Sequence, residues 1–98
     1  MLIVTGSIKA QREHLPRVLE LSLEHVNRSR LEPGCLFHSV HRDVEDENRL
    51  VFLEHWADAD ALRAHFAVPA SIAFVQAAAS LAEEAPSLQI YEAQPASI

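Results

Sequence analysis

The stretch LVFLEHWADADALRAHF, Leu50 to Phe66, decides how the chain is read. Leu50, Val51, Phe52 and Leu53 are apolar at four successive positions, so a strand here is expected to have both faces covered. Side chains alternate along a strand, which puts Glu54 and Trp56 on one face and His55 on the other. Asp58 suits a helix N-cap, its carboxylate accepting from the free N–H groups of the first turn. In the helix that follows, Leu62, His65 and Phe66 fall at i, i+3 and i+4, along one side. A buried strand thus runs into a helix that carries a histidine beside its apolar stripe. The remaining elements are expected to cover that strand and to enclose His65.

Upstream, Leu2, Val4, Gly6 and Ile8 alternate with Ile3, Thr5, Ser7 and Lys9, which predicts a strand over residues 2 to 9. Pro16 suits a first helical turn, where its missing N–H does no harm. Leu15, Leu19, Leu23 and Val26 then recur at helical spacing, and Val18 widens the stripe. Arg28 and Arg30 complement the dipole at the helix end, and Glu32-Pro33-Gly34 stops it. A second strand is expected from Cys35 to Arg42, with Leu36, His38 and Val40 opposite Phe37, Ser39 and His41. The acidic run DVEDEN, residues 43 to 48, is the expected turn. Downstream, Pro69 starts another helix, whose Ile72, Val75, Ala79 and Ala82 line one face, broadened by Phe74, Ala78 and Leu81. Pro86 ends it, Leu88 to Gln94 supplies a last strand, and residues 95 to 98 form a tail.

The order β-α-β-β-α-α-β is a split βαβ pattern: an α+β fold, one domain over residues 1 to 98, with an antiparallel sheet and helices on one side. One layer of helices protects one sheet face, yet the first and third strands are apolar on both. A lone chain would expose a large apolar face, which soluble monomers rarely do. A homodimer whose two sheets pack face to face is the expected solution.

Composition bounds the function. With 49% apolar residues and two glycines, the chain is globular rather than disordered and is long enough for one core. A net charge of −6 argues against nucleic acid or an anionic membrane as partner, since both call for a basic surface. The single Cys35 has no partner for an internal disulfide, which fits a reducing compartment. MLIVTGSIKA lacks a basic region followed by a long apolar run, and no stretch approaches the length of a membrane span. A soluble cytoplasmic protein is the expectation.

Six histidines raise the question of a metal. His38 and His41 are three apart on a strand, hence on opposite faces, and no HxxxH or HExxH occurs on a helix. His14 and His25, on or near the first helix, are read as surface residues. DVEDEN lacks the sixth-position glycine and twelfth-position glutamate of a calcium loop. No metal site is expected. No serine stands in a GxSxG elbow, Cys35 is read as a packed thiol, and two glycines are too few for a phosphate cradle or a dinucleotide fingerprint. His65 remains, with Trp56, Glu54, His38 and Phe52 as possible neighbours. An imidazole titrates near neutrality and can take a proton from an acidic hydroxyl, although a histidine at a helix end is often structural. Glu54 could equally orient a histidine or form an ion pair with Arg42.

Residues 32 to 69, EPGCLFHSVHRDVEDENRLVFLEHWADADALRAHFAVP, resemble the central block of the antibiotic biosynthesis monooxygenase (ABM) domain family. The shared pattern is a Pro-Gly-Cys turn, a strand, an acidic turn, a strand ending in Glu-x-Trp, an Asp-capped helix and a histidine nine residues after the Trp. Here these are Pro33-Gly34-Cys35, Glu54, Trp56, Asp58 and His65. The family usually continues with Pro-His, where this chain has Pro69-Ala70.

The resemblance implies a ferredoxin-like monomer paired into a dimeric α+β barrel. It also implies oxygenation of quinols or polycyclic phenols by O2 without metal, flavin or haem. In that reading His65 is the base, Trp56, Phe52 and Phe66 form an aromatic wall, and His38 and Glu54 complete the substrate site. A haem-degrading branch resembles the chain less, having a first-strand asparagine, a tryptophan where His65 stands and a histidine where Val75 stands. Other relatives isomerise small hydroxy-keto sugars with acid–base histidines, a role open to His65 with His38. A non-catalytic binder of a small aromatic ligand is the third alternative.

Overall fold

The computed structural model describes all residues from Met1 to Ile98. Its elements are β1 (Leu2–Lys9), a 3-10 turn (Arg12–His14), α1 (Leu15–Ser29), β2 (Cys35–Asp43), β3 (Asp46–Trp56), α2 (Ala59–Ala67), α3 (Pro69–Leu81) and β4 (Ser87–Glu92). The strands form one antiparallel sheet in the order β2-β3-β1-β4. This is the α+β, ferredoxin-like arrangement that the order of elements implied.

Register follows from burial. β1 pairs with β3 so that Val4 faces Glu54, Gly6 faces Phe52 and Ile8 faces Leu50. β2 pairs on the other side with His38 opposite Glu54 and Val40 opposite Phe52. These residues share the face that the helices cover. A slip of one residue would send the whole set to the other face. The main core joins Ile8, Leu50 and Phe52 of the sheet to Val18 and Val26 of α1 and Phe74 and Ala78 of α3. A smaller cluster of Val4, Trp56 and Leu62 fastens α2 over the end of β3.

Two local devices place α2. The Asp58 carboxylate accepts a hydrogen bond from the Ala61 N–H at 2.8 Å, so the expected N-cap is present. Gly34, after α1, has φ 80°, in the left-handed region that glycine adopts without strain. Its carbonyl accepts from Ala57 N–H at 2.8 Å, and a Cβ there would come within 2.5 Å of Ala61 Cβ. The turn after α1 and the start of α2 are therefore in direct contact. Pro69 opens α3, which is bent 69° from α2. No single helix is long and apolar enough to cross a membrane.

Several expectations shift. The acidic turn is shorter than DVEDEN, because β2 runs to Asp43 and β3 resumes at Asp46. β4 is Ser87–Glu92 rather than Leu88 to Gln94. Leu23, placed on the α1 stripe by its spacing, is exposed, and the buried face is Val18, Ser22, His25, Val26 and Ser29. His25 is therefore a buried residue and not a surface one. Ile72 and Val75 of α3 are exposed too, and Ser71, Phe74 and Ala78 turn inward instead. In both helices the buried stripe includes serines, which hydropathy assigns to solvent.

On the other sheet face Phe37, Val51 and Tyr91 are exposed in the single chain, with Ile3 and Leu53 half-buried, and no helix covers them.

Two substitutions test this frame. Asp58→Ala should lower unfolding stability by about 1 kcal/mol, the usual worth of an N-cap, read as a shifted urea midpoint with unchanged slope. Gly34→Ala should cost more than about 1 kcal/mol, since strain and the Ala61 clash add, and the same titration would show it.

Candidate active site

Strand β3 delivers a carboxylate to the covered face. Glu54 is buried, and its Oε1 accepts a hydrogen bond from Trp56 Nε1–H at 2.8 Å, two residues along the same face. His38, opposite on β2, brings Nε2 to 3.4 Å from the same oxygen, although not in good hydrogen-bonding alignment. Burial alone would push the Glu54 carboxyl up. The His38 imidazole, the Trp56 indole N–H and the His65 ring together reverse this and hold it below the ordinary carboxylate value.

Helix α2 delivers His65, which is buried with its ring 4.6 Å from that of Trp56. Its Nδ1 lies 3.0 Å from Glu32 Oε1, at the turn after α1. A carboxylate only accepts, so Nδ1 carries the proton and donates. In the neutral ring Nε2 then keeps a lone pair, and it stands 3.8 Å from Glu54 Oε1.

Helix α1 delivers His25, stacked on Phe74 with ring centroids 4.2 Å apart and planes 7° from parallel. Its Nδ1 is 3.2 Å from Arg28 Nη2, and the same Nη2 donates to the Ala70 carbonyl. Guanidinium only donates, so here Nδ1 must accept and the neutral ring carries its proton on Nε2. Burial, the neighbouring His38 and His65, and the Arg28 charge lower the His25 pKa to about 3, so the ring is neutral at physiological pH. His25 and His65 therefore hold opposite tautomers 5.2 Å apart, one a donor and one an acceptor.

Both histidines and Glu54 line a cavity of about 550 Å³ between the sheet and α3. Gly6 in β1 leaves its floor open, with Phe52 on one side and Leu88 on the other by register. A Cβ on Gly6 would approach the Ser87 carbonyl to 3.0 Å, so the floor is bare for a packing reason. Phe74 and Ala78 form the α3 wall, and exposed Phe66, Ile72 and Val75 border the opening. Ser71 adds a buried hydroxyl without a protein partner. The lining includes no lysine or arginine.

Of the residues singled out in the sequence, His65, Glu54, Phe52 and Phe66 line the cavity. Trp56 and His38 do not. They lie behind Glu54, fully buried, and act on the site by holding its carboxylate. Glu54 pairs with histidines rather than with Arg42. Cys35 packs half-buried against Val4, Trp56 and Leu62, and burial pushes its thiol up, which fits a packed thiol. Spacing alone missed His25, Glu32, Arg28, Ser71 and Gly6. The one signal for His25 was its position three after Ser22 and four before Ser29, two small residues that leave room for a ring.

His25, His38 and His65 each offer a ring nitrogen within 4.8 Å of the others, a closeness that histidines read one by one did not suggest. His65 has the support typical of a metal ligand, a carboxylate on its second nitrogen. His25 has the opposite. Its second nitrogen faces a cationic donor, which fixes the proton on the nitrogen an ion would need. The trio suits proton chemistry better than a cation.

Residues 1–77 match the family model described as antibiotic biosynthesis monooxygenase. The chain is 31% identical over 91 residues to an uncharacterised protein of Synechocystis sp., matching 93% of this chain and 62% of that protein. It thus spans about three fifths of that relative's length. Among solved structures it is similar to a candidate antibiotic biosynthesis monooxygenase of Deinococcus radiodurans, with TM-score 0.93 and 27% identity over 100% of this chain and 97% of the other. A second structure, named antibiotic biosynthesis monooxygenase, gives TM-score 0.90 and 29% identity over 97% of this chain and 100% of the other. The chain belongs to the antibiotic biosynthesis monooxygenase family.

Proposed function

We propose that the chain is a monooxygenase acting on electron-rich aromatic hydroxyls, quinols or polycyclic phenols, with O2 as co-substrate and His65 as the base. The observation that carries this reading is a mostly apolar cavity whose buried polar lining is the His65–Glu54–His25 group with the Ser71 hydroxyl. Such a cavity holds a flat ring by area and presents its hydroxyl to the lone pair on His65 Nε2. Glu32 keeps that lone pair available by occupying Nδ1–H. The charge His65 gains with the proton lies between the Glu32 and Glu54 carboxylates.

The simplest substrate is a phenol with a free ring C–H para to its hydroxyl. The hydroxyl proton goes to His65, and the phenolate passes one electron to O2. The two radicals combine, forming a C–O bond at the para carbon, and the outer oxygen takes the proton back from His65 as a hydroperoxide. Loss of the ring C–H proton breaks the O–O bond. The products are a quinone oxygen and one water. The protein's part is binding, deprotonation and orientation.

Isomerisation of a phosphorylated hydroxy-keto sugar is less well supported, because a phosphate needs cationic partners and the cavity lining has neither lysine nor arginine. The homodimer also belongs to this proposal. Its support is the uncovered sheet face carrying Phe37, Val51 and Tyr91, an apolar surface of the kind that face-to-face pairing buries.

Two measurements check these statements. Oxygen uptake by chelator-treated protein with a panel of hydroxyanthracenes and quinols should exceed autoxidation. His65→Ala should lose about 100-fold or more of it, the usual worth of a general base. Unchanged uptake in the variant would remove His65 from the chemistry, and saturable binding without uptake would favour a binder. Sedimentation should give twice the chain mass, and Val51→Glu on the open face should give the monomer. A monomeric wild type would contradict the pairing.

A further inference from the structure

The two cavity histidines differ in what they offer. His65 presents an acceptor and His25 a donor, and each is locked in that role by a charged neighbour whose own proton inventory leaves no choice. A base alone would not need a second imidazole held so firmly. His25 is buried, stacked on Phe74 and bonded to Arg28, which is itself anchored on the Ala70 carbonyl in the first turn of α3, so reversing the ring would break the Arg28 bond. A ring nitrogen of each histidine lies within 4.8 Å of one on the other. Two oxygens on neighbouring carbons lie about 2.7 Å apart, the separation of a short O–H···O contact. Such a pair can meet both nitrogens at once, at about 2.9 Å each.

We propose that His25 is a second catalytic residue, whose Nε2–H donates to a substrate oxygen adjacent to the hydroxyl that His65 deprotonates. The site then selects aromatic substrates with two neighbouring oxygens: a hydroxyl beside a second hydroxyl, or beside a carbonyl. This rests on the phenol reading above and sharpens its substrate class. As the hydroxyl proton leaves, negative charge spreads onto the ring and onto a conjugated neighbouring carbonyl. A fixed N–H aimed there stabilises the charge as it develops, because the donor needs no reorganisation. The neutrality of His25 fits this role, since a neutral imidazole donates without surrendering its proton. Arg28 is a positioning residue. It touches no substrate, but it decides which nitrogen of His25 carries the hydrogen. A substrate with one oxygen would leave the His25 N–H buried and unpaired, and that penalty is the source of discrimination.

The test is a pair of ligands on the same ring system, 2,3-dihydroxynaphthalene with two neighbouring oxygens and 2-naphthol with one. Affinities are read by quenching of Trp56, the single tryptophan, whose ring lies beside that of His65. Wild-type protein should bind the dihydroxy compound about tenfold more tightly. His25→Phe keeps a ring against Phe74 and removes the donor. It should abolish the margin, with 2-naphthol binding more tightly than to the wild type because no buried N–H is left unpaired. Arg28→Met, in which His25 can adopt either tautomer, should narrow the margin and serves if the first variant does not fold. No margin in the wild type would overturn the proposal without any variant. So would a margin that survives in His25→Phe, or an equal loss for both ligands. Binding is read without turnover, so a preserved margin in protein that consumes no oxygen would sink the oxygenase reading and leave the recognition of paired oxygens standing.

Discussion

A carboxylate sits buried in the middle of this sheet, and most of the site's architecture answers to it. An isolated charge in an apolar interior costs several kcal/mol, so Glu54 must be surrounded by groups that favour its ionised form. Trp56 supplies an N–H from the same strand and His38 an imidazole from the neighbouring strand, while the His65 ring of α2 favours the carboxylate when it is protonated. Each of these then needs its own support. Trp56 is enclosed by Val4 and Leu62, and His65 reaches back to Glu32 beyond the end of α1. The polar group is thus a network spanning β2, β3, α2 and the turn after α1 rather than one side chain in a pocket. Removing one member would leave the others buried with poorer partners, which makes such networks strongly coupled.

The cavity is the apolar counterpart of that network. It exists because β1 has a glycine where the sheet meets α3, and because α3 turns away from α2 at Pro69. Small residues of α3, Ser71 and Ala78, leave space that larger side chains would fill. The result is an apolar chamber open to solvent at one side and closed at the other by groups that can give and take a proton. The opposed tautomers of His25 and His65 make those two operations separate tasks of separate residues. They also explain why two histidines so close together need not both be charged, which burial would penalise heavily.

Much of the fold was legible because it follows hydropathy and local chemistry. The run from Leu50 to Leu53 marked the central strand, Asp58 marked a helix start, and the glycine after Pro33 marked a turn whose contacts only glycine permits. The alternation that placed Glu54 and Trp56 together proved to be the basis of the site. What escaped was the phase of the helices. Leu23, Ile72 and Val75 belong by hydropathy to the interior, yet they face outward, and Ser22, Ser29 and Ser71 face inward. Near a polar site the buried stripe is itself partly polar, so a stripe counted in apolar residues is turned towards solvent. The same effect hid His25. Glu32 was hidden for another reason: it read as part of a helix stop, and its partner His65 is 33 residues away. Contacts of that range have no signature in local spacing.

The contacts of His25 and His65 require the two rings to hold opposite and fixed tautomers. Long-range proton–nitrogen NMR spectra of the imidazole rings, recorded at neutral pH on uniformly 15N-labelled protein, read this directly. One buried ring should be protonated at Nδ1 and perturbed by Glu32→Gln. A second should be protonated at Nε2 and perturbed by Arg28→Met. The same tautomer for the ring perturbed by Glu32→Gln and the ring perturbed by Arg28→Met, or free exchange of either ring between both, would contradict the opposed assignment.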